Sequence, residues 1–194
     1  MIQNTSFYNE EELRAQNFGH VGKNVKISRK TSFYNPHNIF LGDHVRIDDF
    51  CVFSASKKIT LGNYIHIACF CALYASESIV MEDFTTLSSR VVIYTCSDDY
   101  SGQSLTNPTI YDEFRPHVTY APVTIKKHVV VGTNSTILPN VTIGTGTAIG
   151  AHSLVNKSLD DWGIYAGTPA KYFKPRKKDL LALERAFLDK QINY

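Results

Sequence analysis

The 194-residue chain is short of the features that mark several large functional classes. Its four cysteines, Cys51, Cys69, Cys71 and Cys96, are too few for a disulfide scaffold at this length, and none stand in a Cys-x-x-Cys pair. A stapled secreted domain and a thiolate zinc or redox site are therefore not expected. No apolar run approaches the roughly 18 residues of a membrane span. An excess of one charge is also missing: 20 Lys+Arg stand against 18 Asp+Glu, a net +2, which leaves no basic footprint for nucleic acid or a membrane surface. The opening Met-Ile-Gln-Asn-Thr has no basic or apolar segment, so no export signal is expected and the location reads as cytoplasmic, with reduced thiols. What remains, 43% apolar and 20% charged residues, suits one folded domain with a sizeable core.

What the sequence does have is a period. Aliphatic residues recur every six positions at Ile125, Val131, Ile137, Ile143, Ile149 and Val155, often followed by Gly, with a small or β-branched residue four places on (Ser135, Val141, Thr147, Ser153). One hexapeptide makes one flat side of a triangular prism and three make one turn, so the spacing predicts an all-β, left-handed parallel β-helix. The front half repeats at twenty: Val21-Gly22, Leu41-Gly42, Leu61-Gly62, then Met81. A turn of eighteen with two extra residues at one corner explains that step. Stacked turns then place residues i and i+20 about 4.8 Å apart. Cys51 and Cys71 differ by twenty and each follows an anchor (Ile47, Ile67) by four, which makes them small inward residues on adjacent turns. Gly, Asn and Asp are expected at the corners, where left-handed backbone angles cost them least.

The repeat breaks at residues 98–121, where Gly102, Pro108 and Pro116 interrupt it; so long an insertion in a solenoid points to function. Residues 1–20 read as an N-terminal cap, with Asn9 capping a helix that starts at Glu10-Glu11-Glu12. Residues 21–175 read as the β-helix and 176–194 as a C-terminal segment. Within it, 177–190 form a helix with Leu180, Leu183 and Phe187 on its apolar stripe and Glu184 and Arg185 on its polar side. Both helices are expected to cover the ends of the solenoid.

The hexapeptides followed by Trp162-Gly163-Ile164-Tyr165-Ala166-Gly167-Thr168-Pro169-Ala170-Lys171 resemble the hexapeptide-repeat acyltransferases. Within them, Leu87-Ser88-Ser89-Arg90-Val91-Val92-Ile93-Tyr94-Thr95-Cys96-Ser97-Asp98-Asp99-Tyr100-Ser101-Gly102 is similar to two groups: N-acyltransferases of dTDP-linked 4-amino-4,6-dideoxyglucose and sugar O-acetyltransferases of polysaccharide clusters. The resemblance implies a homotrimer of parallel prisms, with acyl-CoA as co-substrate, no permanently bound cofactor, and donor and acceptor meeting between subunits. It implies acyl transfer to a nucleotide-linked amino sugar for surface polysaccharide or O-antigen synthesis. The alternative is O-acetylation of the galactoside or maltose acetyltransferase type. Those enzymes carry a base His followed by Pro near the start of the loop, where this chain has Ser97-Asp98-Asp99.

The chemistry of the residues points the same way. A sugar hydroxyl must lose its proton as it attacks a thioester, so a base near pH 7 helps greatly. A neutral amine needs only to be bound, oriented and desolvated, and carboxylates such as Asp98 and Asp99 suit that task. Ser88 or Ser89 could donate to the oxyanion. His66 is the best-placed histidine, outward in the stack Arg46-His66-Thr86 and near Ser88. Tyr94, Tyr100, Asn107, His117 and Tyr120 are candidates for the acceptor pocket. For CoA, backbone at Gly132, Gly150, Ala151, Ala166, Gly167 and Thr168 suits the pantetheine, and Lys157, Lys171, Lys174 and Arg176, with Lys177 and Lys178, suit the phosphates. The steps between His117, His128 and His152 do not fit a three-histidine zinc site shared across an interface, so no metal is expected. A binding scaffold without catalysis would show regular Ser or Thr ranks on one face and no long loop, and neither holds here.

Overall fold

The six-residue spacing becomes a prism with three flat sides. A computed structural model describes residues 6–192; the first five residues, to which the expectation of no export signal refers, and the last two lie outside the described residues. The first side stacks His20–Val21, Ile39–Leu41, Ile59–Leu61, Ile79–Met81, Val123–Ile125 and Thr142–Ile143. The second stacks Lys26–Ile27, Arg46–Ile47, His66–Ile67, Thr86–Leu87, Val130–Val131, Ala148–Ile149 and Gly163–Ala166. The third stacks Ser32–Tyr34, Val52–Ala55, Ala72–Ala75, Val92–Tyr94, Thr136–Ile137 and Leu154–Val155. All these pairings are parallel, and the architecture is the left-handed parallel β-helix that the spacing predicts.

Both periods appear as register. Leu41 pairs with Leu61 and Leu61 with Met81 at a step of twenty, and Ile125 pairs with Ile143 at eighteen. The two extra residues of the early turns lie on the third side, where Val52–Ala55 and Ala72–Ala75 each bury two side chains and the later Thr136–Ile137 buries one. Period-two alternation sends Ile27, Ile47, Ile67, Leu87, Val131 and Ile149 into one continuous column of buried aliphatics. Truncating any of its isoleucines or its leucine to alanine costs about 2–5 kcal/mol by the usual scale. Cys51 and Cys71 are fully buried in another column, and their thiols donate to the carbonyls of Ala68 and Ser88, both at 3.2 Å.

The corners meet expectation at Asn24, Asn134 and Gly146 and depart from it at other positions. Between the first and second sides the left-handed slot holds Asn24, His44, Tyr64, Phe84 and His128, with φ from 55° to 62°. Between the second and third it holds Phe50, Phe70, Arg90, Asn134 and His152, with φ from 56° to 64°. Each costs roughly 1–2 kcal/mol of backbone strain. Stacking on the next turn offsets part of that: His44–Tyr64 and Tyr64–Phe84 ring centroids are 4.7 Å apart, and Phe50–Phe70 centroids 5.1 Å. Other acidic and amide residues do a different job beside the slot. Asp43, Asn63 and Asp83 accept hydrogen bonds from the N–H groups of Lys23, Asp43 and Asn63 at 2.7–2.8 Å, one turn back. The turns consequently close tightly at the glycines. A Cβ on Gly42 would stand 2.6 Å from the Gly62 carbonyl oxygen.

Helix α1 (Glu10–Ala15) starts as expected. Asn9 accepts from the Glu12 N–H, Glu12 returns a bond to the Asn9 N–H, and Leu13 is buried. Helix α2 (Leu180–Ile192) does not cover the C-terminal turn. That turn is covered by Lys171–Pro175, which folds back antiparallel on Gly163–Ala166 with Tyr172 edge-on to Tyr165. Instead α2 lies along the first corner, with Phe187 edge-on to Tyr64 and Phe84. Its orientation also differs from the expected stripe. Glu184 is only 11% exposed, bound to Lys127 Nζ at 2.5 Å and His128 Nε2 at 2.8 Å, while Leu183 is 69% exposed. Burial raises the Glu184 carboxyl, but the bonds from Lys127 and His128 outweigh it and hold the group below the ordinary value. Lys127 and His128 at the corner thus turn the carboxylate inward, against the apolar pattern.

The insertion leaves the solenoid between the third side of the fourth turn and the first side of the fifth, so Met81 pairs with Ile125 across it. Its stem is an antiparallel pair, Cys96–Ser97 with Thr119–Tyr120. The close approach at the first corner yields a test. Gly42→Ala is expected to cost about 1–3 kcal/mol in denaturant unfolding, the usual range for an overpacked site; an unchanged midpoint would contradict it.

Candidate active site

On each strand of the second side, two side chains point outward, and their stacking builds a surface whose character changes at Ser88. From Ser88 towards the C-terminal turns, one outward column reads Ser88, Gly132, Gly150, Ala166. Its register follows from Ser88 N–H to Val131 O at 2.9 Å, Gly132 N–H to Ile149 O at 2.8 Å and Gly150 N–H to Tyr165 O at 2.8 Å. Three strand steps make this bare strip about 14 Å long. It is a floor that an extended chain can lie against closely. The strip ends at Gly167, whose φ of 102° is a left-handed angle suited to glycine, and whose N–H donates to Ser153 Oγ at 3.1 Å. Thr168 Oγ1 donates to His152 O at 3.2 Å.

The residues expected around CoA divide in consequence. Gly132, Gly150, Ala166, Gly167 and Thr168 lie along or at the end of this strip, and Ala151 turns the adjacent corner. Lys171 and Lys174 sit opposite Ala166 and Ile164 in the terminal hairpin, at the same end. Lys157 follows the third-side strand Leu154–Val155 and is exposed away from the strip. Arg176 is not a free cation for phosphate. Its guanidinium is turned in, donating to the carbonyls of His128 at 2.8 Å and Gly146 at 3.0 Å, and burial lowers its pKa from the ordinary value. Backbone carbonyls at the corner, left over by the left-handed turns, claim it first.

Below Ser88 the column continues as Ala68 and Asp48, with His66 beside Ala68. His66 Nε2 meets Asp48 Oδ2 at 2.8 Å, and Arg46 Nε donates to Asp48 Oδ1 at 2.7 Å. Burial works to raise the Asp48 carboxyl, but these two bonds prevail and hold it below the ordinary value. Ser89 sits at the corner rather than in the column, its carbonyl accepting from Thr133 Oγ1 at 2.6 Å and Asn134 N–H at 3.1 Å.

The loop forms a second cluster on a different side. A cavity of about 650 Å³ lies between the third side and the loop, lined by Tyr94, Cys96, Asp98, Tyr100, Arg115 and Tyr120 among others. The two aspartates are not equivalent. Asp99 accepts from three backbone N–H groups, Ser101 and Gln103 at 2.8 Å and Ser104 at 2.9 Å. Hydrogen bonding from Ser101, then from these other loop groups, pulls its pKa down to about 2. Asp98 lines the cavity, with Arg115 Nη1 3.9 Å from one oxygen and the Asn107 N–H 3.3 Å from the other. Arg115 also holds Asp112 at 2.5 Å, its side chain is 10% exposed, and its Nε has no partner. Asn107 therefore serves through its backbone, with its side chain bonded to Thr109. His117 is exposed and outside the cavity.

So one chain brings Tyr94, Asp98, Tyr100 and Tyr120 together, and separately Ser88, His66 and the strip; the corner at Ser89-Arg90 and the third-side strand Val92–Tyr94 stand between the two groups. Sequence reasoning missed Arg115 and Asp48. Asp48 was findable, since it precedes His66 by eighteen, one early turn less two residues. Among the described residues no group of three His, Cys, Asp or Glu could hold a metal, and no helix is long and apolar enough to cross a membrane.

Comparison with known proteins agrees with this architecture. Residues 122–157 match the family described as bacterial transferase hexapeptide (six repeats). The chain is 41% identical over 183 residues to a dTDP-4-amino-4,6-dideoxy-D-glucose acyltransferase of Escherichia coli, covering 94% of this chain and 95% of that one. It is 34% identical over 82 residues to the putative lipopolysaccharide biosynthesis O-acetyl transferase WbbJ of Escherichia coli K12, 42% of this chain and 41% of that one. Among solved structures, AntD, an N-acyltransferase from Bacillus cereus in complex with dTDP and 3-hydroxybutyryl-CoA, superposes with a TM-score of 0.93 at 49% identity, over 98% of this chain and 100% of that one. Further AntD structures carry replacements of one serine and of one aspartate ten positions later. With near-complete coverage at this identity, the chain belongs to the hexapeptide-repeat acyltransferases.

Proposed function

We propose that this acyltransferase moves the acyl group of an acyl-CoA onto the 4-amino group of a dTDP-linked amino-dideoxy sugar, in the cytoplasm, for surface polysaccharide or O-antigen synthesis. The observation that carries the reading is the pairing of the bare strip ending at Ser88 with a carboxylate, Asp98, turned into the loop cavity. The ten-residue step between them is the step between the replaced serine and aspartate of AntD. Ser89 and Asp99 share that step, but Ser89 turns a corner and Asp99 is consumed by loop amides.

In this reading the pantetheine lies on Gly132, Gly150 and Ala166, with the thioester at Ser88 and Lys171 and Lys174 near the phosphates. The Ser88 hydroxyl donates to the oxyanion. Asp98 accepts a hydrogen bond from the amine and orients its lone pair at the thioester carbon. The C–N bond forms, the C–S bond breaks, and the proton lost by nitrogen ends on the departing sulfur. Charge at Asp98 suffices because an amine needs no strong base, in keeping with the lack of histidine at the loop mouth.

Ser88 and Asp98 lie on different sides of one prism, so they meet only if the second side of one subunit faces the third side and loop of its neighbour. A homotrimer with the second corner at its axis does this three times. Phe50 and Phe70, stacked at that corner and 49% and 48% exposed, supply an apolar edge for the axis.

Three outcomes follow. Mixing inactive Ser88→Ala and Asp98→Ala chains, unfolded and refolded together, is expected to restore about a quarter of wild-type activity, because a random mixture rebuilds one site in four; no recovery would place both residues in one subunit's site. In steady-state kinetics, Asp98→Asn should lower acceptor use about tenfold or more, and His66→Gln should cost less. A loss of 10²–10⁴ in His66→Gln, with Asp98→Asn near wild type, would instead establish base-driven O-acylation. Asp99→Asn should loosen the loop at neutral pH. The Asp99 carboxyl is depressed on folding, so its contribution is complete above the unfolded value of about 3.9 and is lost as pH falls towards about 2. Protection of the loop amides should differ between wild type and Asp99→Asn above pH 4 and converge near pH 2.

A further inference from the structure

On the second side the outward column through Ser88 holds only glycine and alanine from Gly132 to Ala166, yet just below Ser88 a polar pair interrupts the surface. Asp48 is 15% exposed on its side chain and His66 is 43% exposed. The pair is fixed from both ends, because Asp48 takes Arg46 Nε on one oxygen and His66 Nε2 on the other. An ionised carboxylate can only accept, so the hydrogen must sit on His66 Nε2. In the neutral ring Nδ1 is then a bare acceptor. His66 lies one strand step and two residues from Ser88, which separates their Cα atoms by about 8 Å. Ala68, directly between Asp48 and Ser88 in the column, offers only a methyl group, so a ligand at Ser88 can reach the ring.

The occupant follows from direction. The strip towards Ala166 is the path for the pantetheine, which leaves the His66 side of Ser88 for the acceptor. A vicinal amino alcohol spans the gap: its nitrogen at the thioester carbon, its neighbouring hydroxyl about 3 Å away and one hydrogen bond beyond it the imidazole. We propose that His66, oriented by Asp48, is a specificity-determining residue whose Nδ1 accepts a hydrogen bond from the acceptor hydroxyl next to the reacting amine. This rests on the function proposed above. A hydroxyl on the third carbon of the acyl group presents the same chemistry from the donor side, so both sources belong in the test.

The test compares wild type, His66→Phe and His66→Gln with dTDP-4-amino-4,6-dideoxyglucose and its 3-deoxy analogue, using acetyl-, butyryl- and 3-hydroxybutyryl-CoA. Circular dichroism and thermal unfolding check that each variant is folded, as a half-exposed position leads one to expect. With the hydroxylated sugar, His66→Phe should lower kcat/KM about tenfold, mainly through KM, while His66→Gln, which keeps an acceptor, recovers most of it. With the 3-deoxy sugar, wild type should fall to the level of His66→Phe, and the variant should lose nothing further, whichever donor is used. An equal loss in His66→Phe on both sugars and all donors overturns the proposal. A loss that appears only with 3-hydroxybutyryl-CoA overturns its assignment to the sugar. Wild type that turns over plain sugars but neither amino sugar refutes the underlying function, a result distinct from an active wild type without coupling to the hydroxyl.

Discussion

The parallel hydrogen bonds between successive turns are the constraint on which the rest depends. They hold neighbouring turns at one strand spacing whether the turn contains twenty residues, eighteen, or the whole loop insertion. Every column on every side, inward or outward, is therefore a ladder with a rung about every 4.8 Å. The inner ladders bury Ile, Leu and Val; the outer ladder at Ser88 becomes a long strip because glycine and alanine recur on it. A solenoid makes an extended bare surface in this way, with rigidity supplied by the same bonds that stack the turns.

Outside the rigid ladder, the corners and the loop are held by other contacts. At the first corner His44, Tyr64, Phe84 and His128 hold left-handed angles while each ring stacks on its counterpart one turn away. That stacking builds two exposed edges of opposite use. One receives α2 through Phe187 and the Lys127–Glu184–His128 cluster. The other, at Phe50 and Phe70, is half exposed, with Lys30 and Arg90 over the two rings. Arg176 belongs to the first edge, tying the chain leading into α2 to corner carbonyls.

Within the loop, two adjacent carboxylates have separate fates for a local reason. The chain reverses after Asp99, and the amides of Ser101, Gln103 and Ser104 converge on it, so that carboxylate builds the loop. Asp98 points the other way, towards the tyrosines and Arg115, and keeps capacity for a ligand. Neighbours in sequence thus divide into one carboxylate spent on loop amides and one facing the cavity by the direction of a single turn.

Read alone, the sequence determined the prism, its side length, both turn lengths and the inward columns, including Cys51 over Cys71. Each of these depends only on spacing and on which side chains avoid water. It also determined where the repeat breaks, near residues 98–121, and that Asn9 starts a helix. Tertiary structure decided what spacing leaves open: that Asp98 rather than Asp99 faces a cavity, that Arg115 stands beside it, and that Glu184 turns inward. It decided that Arg176 is spent on backbone carbonyls and that Asp48 locks His66. These outcomes depend on which partner lies within a few ångströms once distant turns are stacked, and a charge or hydrogen bond is claimed by the nearest partner, which the order of residues along the chain does not reveal.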